Sequence, residues 1–140
     1  MRFQTSREIA ADTARVYAAF ADSARLATWW GPAGFTNTFN FCDFRTGGTW
    51  TYVMHGPDGK DYENECVFDE IVPSGRIVIQ HVSLPRYLLT IELEPTANGG
   101  TLVRWNQEFE KPKVAAAIAH IVEPANEQNL DRLTAEVLRA

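Results

Sequence analysis

The sequence predicts an α+β domain in which a curved antiparallel seven-stranded sheet grips a long C-terminal helix. Three observations predict this class. Seven short segments alternate apolar and polar residues, as strands with one buried face do. Two capped helical segments follow the first of these strands. The last quarter of the chain, Lys113–Ala140, has helical periodicity and is the only element large enough to cover the sheet. We therefore expect the order β-α-α-β6-α, with a cavity between the sheet and the long helix.

The chain starts with an edge strand and two short helices. The strand is predicted over Phe3–Ala10, and Asp12 is a typical N-cap for the first helix. Apolar residues then follow at helical spacing, namely Val16, Tyr17 and Phe20. Asp22 or Ser23 caps the second helix, which Gly31-Pro32 ends. Its apolar residues are Leu26, Trp29 and Trp30. We expect this pair to close one end of the sheet.

The second and third strands are predicted over Thr36–Phe44 and Thr49–His55, with a reversal or bulge at Gly47-Gly48. Strict alternation would place Phe39 and Phe41 on one face of the second strand. The third strand would present Trp50, Tyr52 and Met54 on one face. These faces are expected to point toward the interior.

Four more strands complete an antiparallel meander after the hairpin signal Gly56–Gly59. They are predicted over Tyr62–Ile71, Arg76–Ser83, Tyr87–Glu94 and Thr101–Phe109. Their inward positions include Cys66, Phe68, Ile77, Ile79, His81, Leu89, Ile91, Leu93, Val103, Trp105, Gln107 and Phe109. Polar residues at the alternate positions indicate that the other face is solvated.

The closing helix has two apolar stripes. Pro112 suits its first turn, because the missing N–H has no partner there. The first stripe is Val114, Ile118, Ile121 and Ala125, and the second is Leu130, Leu133 and Val137. Pro124 lies between the two, where a kink is expected. The small residues Ala115–Ala117 either leave room for a cavity or pack closely on the sheet.

Composition limits the function classes. The 140 residues predict one domain over the whole chain, with 45% apolar and 22% charged residues, as in a soluble globular protein. The net charge of -5 argues against nucleic acid or an anionic membrane as a partner. The only cysteines, Cys42 and Cys66, lack metal or redox spacing and are interpreted as free thiols. No signal segment is recognisable, and a cytoplasmic location is expected.

The candidate site is the set of aromatic and polar residues expected to face the cavity. It consists of Trp29, Trp30, Phe39, Phe41, Trp50, Tyr52, Met54, Phe68, His81, Trp105, Gln107, Ala117 and Ile121. Aromatic residues dominate both cores and ligand pockets, so these residues either bind a ligand or simply fill the core. The polar groups of His81 and Gln107 on apolar faces favour a pocket.

Chemistry by these residues has one candidate. His81 is the best-placed acid–base group, with Tyr52 or Gln107 as a partner. His55 lies beside a turn and His120 lies off the helix stripe, so both are expected to be structural or solvated. No metal-ligand set, nucleophile elbow, phosphate-binding loop or dinucleotide fingerprint is present, and no cofactor is expected. Glu70 could pair with Arg76 at a strand end.

The order of elements resembles the START-like (SRPBCC, helix-grip) superfamily, which includes polyketide cyclases, aromatases and the birch-pollen allergen. More narrowly, four motifs are similar to bacterial relatives of the activator of heat-shock protein 90 ATPase. These motifs are Trp29–Pro32, Arg45–Trp50, Met54–Gly59 and Phe68–Pro73. The resemblance implies a deep, mostly apolar cavity that holds a hydrophobic small molecule. The chain departs from the usual pattern at Cys66, where glycine is common, and at Pro124, and either change would reshape the cavity.

Three functional hypotheses follow. The first is binding of a small hydrophobic molecule, aromatic or lipid-like, in the cavity. The second is an enzyme of the cyclase, hydratase or hydrolase type acting in the same cavity. The third, from the resemblance alone, is a co-chaperone-like interaction module. Association into a homodimer stays open.

Overall fold

The computed structural model describes residues 2–139 and has the predicted order of elements. These are β1 (Arg2–Ile9), α1 (Thr13–Ala21), α2 (Ser23–Trp29), β2 (Thr36–Cys42), β3 (Thr49–His55), β4 (Asp61–Val72), β5 (Arg76–His81), β6 (Tyr87–Pro95), β7 (Thr101–Phe109) and α3 (Pro112–Leu138). The predicted α+β class is confirmed. The predicted helix end at Ala140 lies outside the described residues.

The seven strands form one antiparallel sheet in the order β1-β7-β6-β5-β4-β3-β2. The six later strands make the expected meander, and β1 pairs with β7, so β1 and β2 are the two edges. The helices α1 and α2 connect these edges and pack against α3. Helix α3 also contacts β1 and β7. The helices therefore cover one face of the sheet, and the core lies between the two layers.

Capping side chains start both short helices. The Asp12 carboxylate accepts a hydrogen bond from the backbone N–H of Arg15 at 2.9 Å. Asp22, rather than Ser23, caps α2, because its carboxylate accepts from the backbone N–H groups of Ala24 and Arg25. These bonds satisfy donors that have no partner inside a helix.

A β-bulge overturns the predicted placement of Phe41. The register of β2 against β3 shifts between Phe39 and Phe41, so strict alternation fails there. One extra residue in a strand turns the following side chains to the opposite face. Phe39 still packs on the core, whereas Phe41 is 55% exposed on the outside.

The predicted stripe in the first half of α3 is only partly correct, because Ile118 and Ala125 are half-buried whereas Ile121 is exposed. Ala115 and Val122 are buried there, against Phe3 and Phe109 of the sheet. Ala117 and Ile121 are exposed, so neither faces the cavity. The line of fully buried residues is shifted by one residue from Val114 and Ile121, about 100° around the helix. It brings a small residue to the sheet, which permits a close approach of the helix.

The second half of α3 packs as predicted. Leu130, Leu133 and Val137 are buried in the main core together with residues of α1 and α2. Helix α3 continues as a single helix through Pro124.

Candidate functional site

A cavity of about 130 Å³ lies between the sheet and the middle of α3. Its walls come from four strands, from α3 and from the loop that follows α2. The lining residues are Trp30, Gly31, Pro32, Tyr52, Met54, Asn64, Tyr87, Leu89, Trp105, Gln107, Ala125, Asn126 and Asn129. This cavity between the sheet and the long helix is the candidate site.

Only part of the predicted site lines this cavity. The residues that do are Trp30, Tyr52, Met54, Trp105 and Gln107. Trp29, Trp50 and Phe68 are fully buried in the core around it, and Phe39 packs on the rings of Trp50 and Tyr52. Phe41, Ala117 and Ile121 point away, for the reasons given above.

Aromatic side chains form one wall of the cavity and hold each other in place. The indole Nε1–H of Trp30 donates to the hydroxyl of Tyr52 at 3.0 Å. The rings of Trp30 and Trp105 lie 6.0 Å apart between centroids, at an interplanar angle of 35°. Burial raises the pKa of Tyr52 well above its ordinary value, so its phenol stays protonated at neutral pH. This wall is therefore uncharged and presents flat rings.

Four amide side chains form the polar part of the lining. Asn126 Nδ2 on α3 donates to Gln107 Oε1 on β7 at 3.1 Å. Asn129 Nδ2 donates to the carbonyl of Trp29 at 3.4 Å, and Asn64 Nδ2 donates to its near neighbour Tyr62 at 2.9 Å. No aspartate, glutamate, lysine, arginine or histidine of residues 2–139 is among the lining residues. The cavity therefore offers neutral donors and acceptors only.

Sequence reasoning missed the asparagines and Tyr87. Asn64 lies opposite Tyr52 in the register and shares a face with Cys66, so its strand phase could have identified it. Asn126 and Asn129 come after the first predicted stripe of α3 in the sequence. They were missed because polar residues on a helix are ordinarily solvated.

An arginine on α3 fixes the loop at the cavity rim. Arg132 donates to the carbonyls of Thr28, Gly31 and Pro32 at 2.8, 2.9 and 2.8 Å. The backbone of Gly31 has a φ of 101°, a conformation that favours glycine. A Cβ atom at Gly31 would lie 2.6 Å from the terminal methyl of Met54. Another residue at this position would strain the backbone and displace the end of the Met54 side chain.

His81 lies behind the cavity lining rather than in it. Its Nδ1 is 2.8 Å from the carbonyl of Pro85, and its Nε2 is 2.7 Å from Asn64 Oδ1. Its ring stacks on Tyr87 at 4.5 Å between centroids. Burial lowers the pKa of His81, which favours the neutral ring. In the neutral ring one nitrogen carries the hydrogen, and the carbonyl of Pro85 accepts it from Nδ1. His81 packs against Asn64 and Tyr87 and is not among the residues that line the cavity.

The remaining titratable candidates lie outside the cavity. His55 Nδ1 is 2.7 Å from Asp61 Oδ1 at the protein surface, and the expected pair of Glu70 and Arg76 forms at 2.9 Å. Burial raises the pKa of the Cys66 thiol to about 12, which disfavours a reactive thiolate.

Two further features are absent from residues 2–139. They contain no group of three histidine, cysteine or acidic residues arranged to hold a metal ion. None of the helices in this range is both long and apolar enough to span a membrane.

Solved structures similar to this chain support the same architecture. A solution structure of a protein from Arthrobacter aurescens is 25% identical, covers 99% of this chain and 87% of its own, and has a TM-score of 0.90. A crystal structure of a protein from Chromobacterium violaceum is 26% identical, covers 96% of each chain and has a TM-score of 0.83. The AHSA1-like protein from Aeromonas hydrophila is 16% identical, covers 100% of this chain and 97% of its own, and shares the fold with a TM-score of 0.79.

No curated protein matches the sequence. A family profile described as "Activator of Hsp90 ATPase homolog 1-like protein" matches residues 10–137, which include both short helices, six of the seven strands and nearly all of α3. The match extends over most of the chain, as the resemblance of the four motifs implied. The chain therefore belongs to the family of Activator of Hsp90 ATPase homolog 1-like proteins.

Proposed function

We propose that this protein binds a small uncharged molecule in the cavity between the sheet and α3. One observation carries the proposal: the cavity combines an aromatic wall with four amide side chains and has no charged residue in its lining. Ligand sites in proteins are mostly apolar with a few converging polar groups. A charged molecule would lose its hydration there without gaining a counter-charge, so the lining selects against it.

The volume restricts the ligand to about one ring. Pockets for drug-sized ligands measure roughly 300–1,000 Å³. An engineered apolar cavity of roughly 150 Å³ in another protein binds benzene. The cavity here, at about 130 Å³, is of that second size. The sequence suggested an aromatic or a lipid-like ligand. The small volume supports the aromatic ligand and argues against a lipid chain.

The proposal is tested by filling the cavity. Ala125 lines it from α3, whereas Ala117 is exposed on the same helix and serves as the matched control. Binding is measured by NMR titration of ¹⁵N-labelled protein with toluene and 2-pyridone as uncharged probes and benzoate as a charged one. We expect an uncharged probe to bind wild type and Ala117→Phe but not Ala125→Phe, and benzoate to bind none of them.

Three results would contradict the proposal. They are no binding of either uncharged probe, equal binding of benzoate, and binding that survives Ala125→Phe in a folded variant. Native mass spectrometry of freshly purified protein adds an independent test, because a copurified ligand appears as extra mass that is lost on denaturation.

A protein-interaction role is the second candidate, since the first half of α3 exposes apolar residues that the sequence predicted to be covered. Ile121 is 58% exposed and Ala117 is exposed beside it. The occupant that we propose is a second copy of the chain. Sedimentation equilibrium should then give twice the monomer mass of 15.7 kDa, and Ile121→Lys but not Glu123→Lys should restore the monomer. A monomer at every concentration would refute it.

The compartment that we propose is the cytoplasm. Cys42 and Cys66 are both free in the structure, which is typical of proteins kept in reducing surroundings. Cell fractionation with an antibody to the protein tests this location.

A further inference from the structure

We infer that the ligand of this cavity is a neutral cyclic amide, a single planar ring that offers a hydrogen-bond acceptor to Trp105 and an amide edge to Gln107 and Asn126. This inference rests on the proposed function and specifies its ligand class. Three features of the cavity carry it: a buried donor without a partner, an adjacent pair of amides with a complementary donor and acceptor, and flat aromatic walls.

The donor is the indole of Trp105. This side chain is 2% exposed and lines the cavity, yet its Nε1–H has no acceptor among residues 2–139. An indole nitrogen can only donate, and a buried donor without a partner is unfavourable. Two other indoles are satisfied, because Trp29 donates to the carbonyl of Ala19 and Trp30 to Tyr52. Trp105 is thus the cavity tryptophan that a ligand acceptor would satisfy.

The complementary pair lies next to it. Gln107 follows Trp105 by two residues on β7, so both side chains point to the same face of the sheet. The bond from Asn126 Nδ2 to Gln107 Oε1 uses one donor and one acceptor of the pair. Gln107 Nε2 and Asn126 Oδ1 take no part in that bond, and both residues line the cavity. One donor and one acceptor side by side match the C=O and N–H edge of an amide.

Shape and charge narrow the class further. The rings of Trp30 and Trp105 contact each other and line one side of the cavity, where a planar ring could pack, and the volume admits one ring. Since no charged side chain lines the cavity, a neutral ring is favoured over a carboxylate or an amine. A hydrocarbon ring would fit by size but would offer no partner to the indole donor or to the two amide atoms, so it should bind more weakly.

The test compares 2-pyridone with toluene, a hydrocarbon ring of similar size. Isothermal titration calorimetry on the full chain measures both affinities in wild type, Trp105→Phe and Trp50→Phe. Trp50 is the matched control: it is also fully buried with an unpartnered Nε1, but it does not line the cavity. We expect wild type to prefer 2-pyridone by at least about fivefold, the effect of one net hydrogen bond. Trp105→Phe should lose about fivefold of that preference, and Trp50→Phe should keep it.

A measurement on wild type alone decides the case if Trp105→Phe does not fold. Of the four indole N–H signals in the ¹⁵N spectrum, that of Trp105 should move downfield on addition of 2-pyridone and less on addition of toluene. Equal affinity for the two probes, or an unmoved Trp105 signal, would overturn the cyclic-amide inference while leaving the proposed function intact. Binding of neither probe would overturn both.

Discussion

Neutralising Glu136 should weaken the attachment of α3 to α2, and acid should remove the same stabilisation. Glu136 is 8% exposed near the end of α3. Its carboxylate accepts hydrogen bonds from Arg25 Nε at 2.8 Å and from Arg139 Nη2 at 2.8 Å. Arg25 belongs to α2, so the ion pair between Arg25 and Glu136 links α2 to α3. The variant to make is Glu136→Gln, which keeps the shape and removes the charge.

The magnitude follows from the pKa of this carboxyl group. The hydrogen bond from Arg139, followed by that from Arg25, lowers the pKa of Glu136 from 4.5 to about 2. A folded-state pKa below the unfolded value stabilises the protein above pH 4.5, and this stabilisation is lost as the pH falls toward 2. At about 1.4 kcal/mol per pKa unit, the upper limit is roughly 3 kcal/mol. Because the Arg139 side chain is 65% exposed and solvent weakens its attraction, we expect about 1–2 kcal/mol.

Urea unfolding followed by tryptophan fluorescence measures this effect between pH 7 and pH 3. The free energy of unfolding of Glu136→Gln should lie about 1–2 kcal/mol below that of wild type at pH 7, with the gap closing as the pH falls below 4.5. Other carboxylates titrate in both proteins and cancel in the difference. The control is Glu94→Gln, which removes an exposed ion pair with Arg104 and should change little. A gap that stays constant with pH, or no gap at pH 7, would refute the reasoning.

Two further predictions concern the core and the loop. Leu130→Ala should lower the free energy of unfolding by roughly 2–5 kcal/mol, because Leu130 is fully buried and the truncated side chain leaves a void. A smaller change, measured by urea unfolding, would mean that the core closes around the void. Arg132→Ala removes the donor shared by the carbonyls of Thr28, Gly31 and Pro32, so backbone amides of residues 30–35 should exchange hydrogen faster. Unchanged exchange in that loop, measured by mass spectrometry, would show that Arg132 does not hold it.

The strands could be predicted well because turns and alternation agree. Four of the five hairpins have a glycine-containing turn and the turn between β5 and β6 contains Pro85, and the observed strand ends lie within two residues of the predicted ones. The bulge in β2 could not be predicted in this way. Around the bulge, Phe39, Asn40 and Phe41 alternate as in a regular strand, so nothing marks the extra residue that turns Phe41 outward.

The candidate site was harder to predict than the fold, because apolar residues and asparagines occur both at the surface and in the interior. In the first half of α3, neighbouring residues are both apolar at Val114–Ala115 and at Ile121–Val122, so spacing alone does not show which one is buried. The sheet selects the stripe with Ala115, since a small side chain permits close contact. Asn64 and Asn129 have the polarity of solvated positions, and only their phase relative to buried neighbours places them inside.

The size of the cavity is set by side chains and not by the fold. Leu130, Leu133 and Val137 anchor one half of α3 in the core, which fixes its distance from the sheet. Above that anchor, Ala125 is small and leaves space, while Trp30 and Trp105 fill part of it from the opposite side. Relatives can share this backbone with TM-scores near 0.8 and still differ at those positions, because identity to them is low. A ligand known for one member would therefore not transfer to this chain without matching side chains around the cavity.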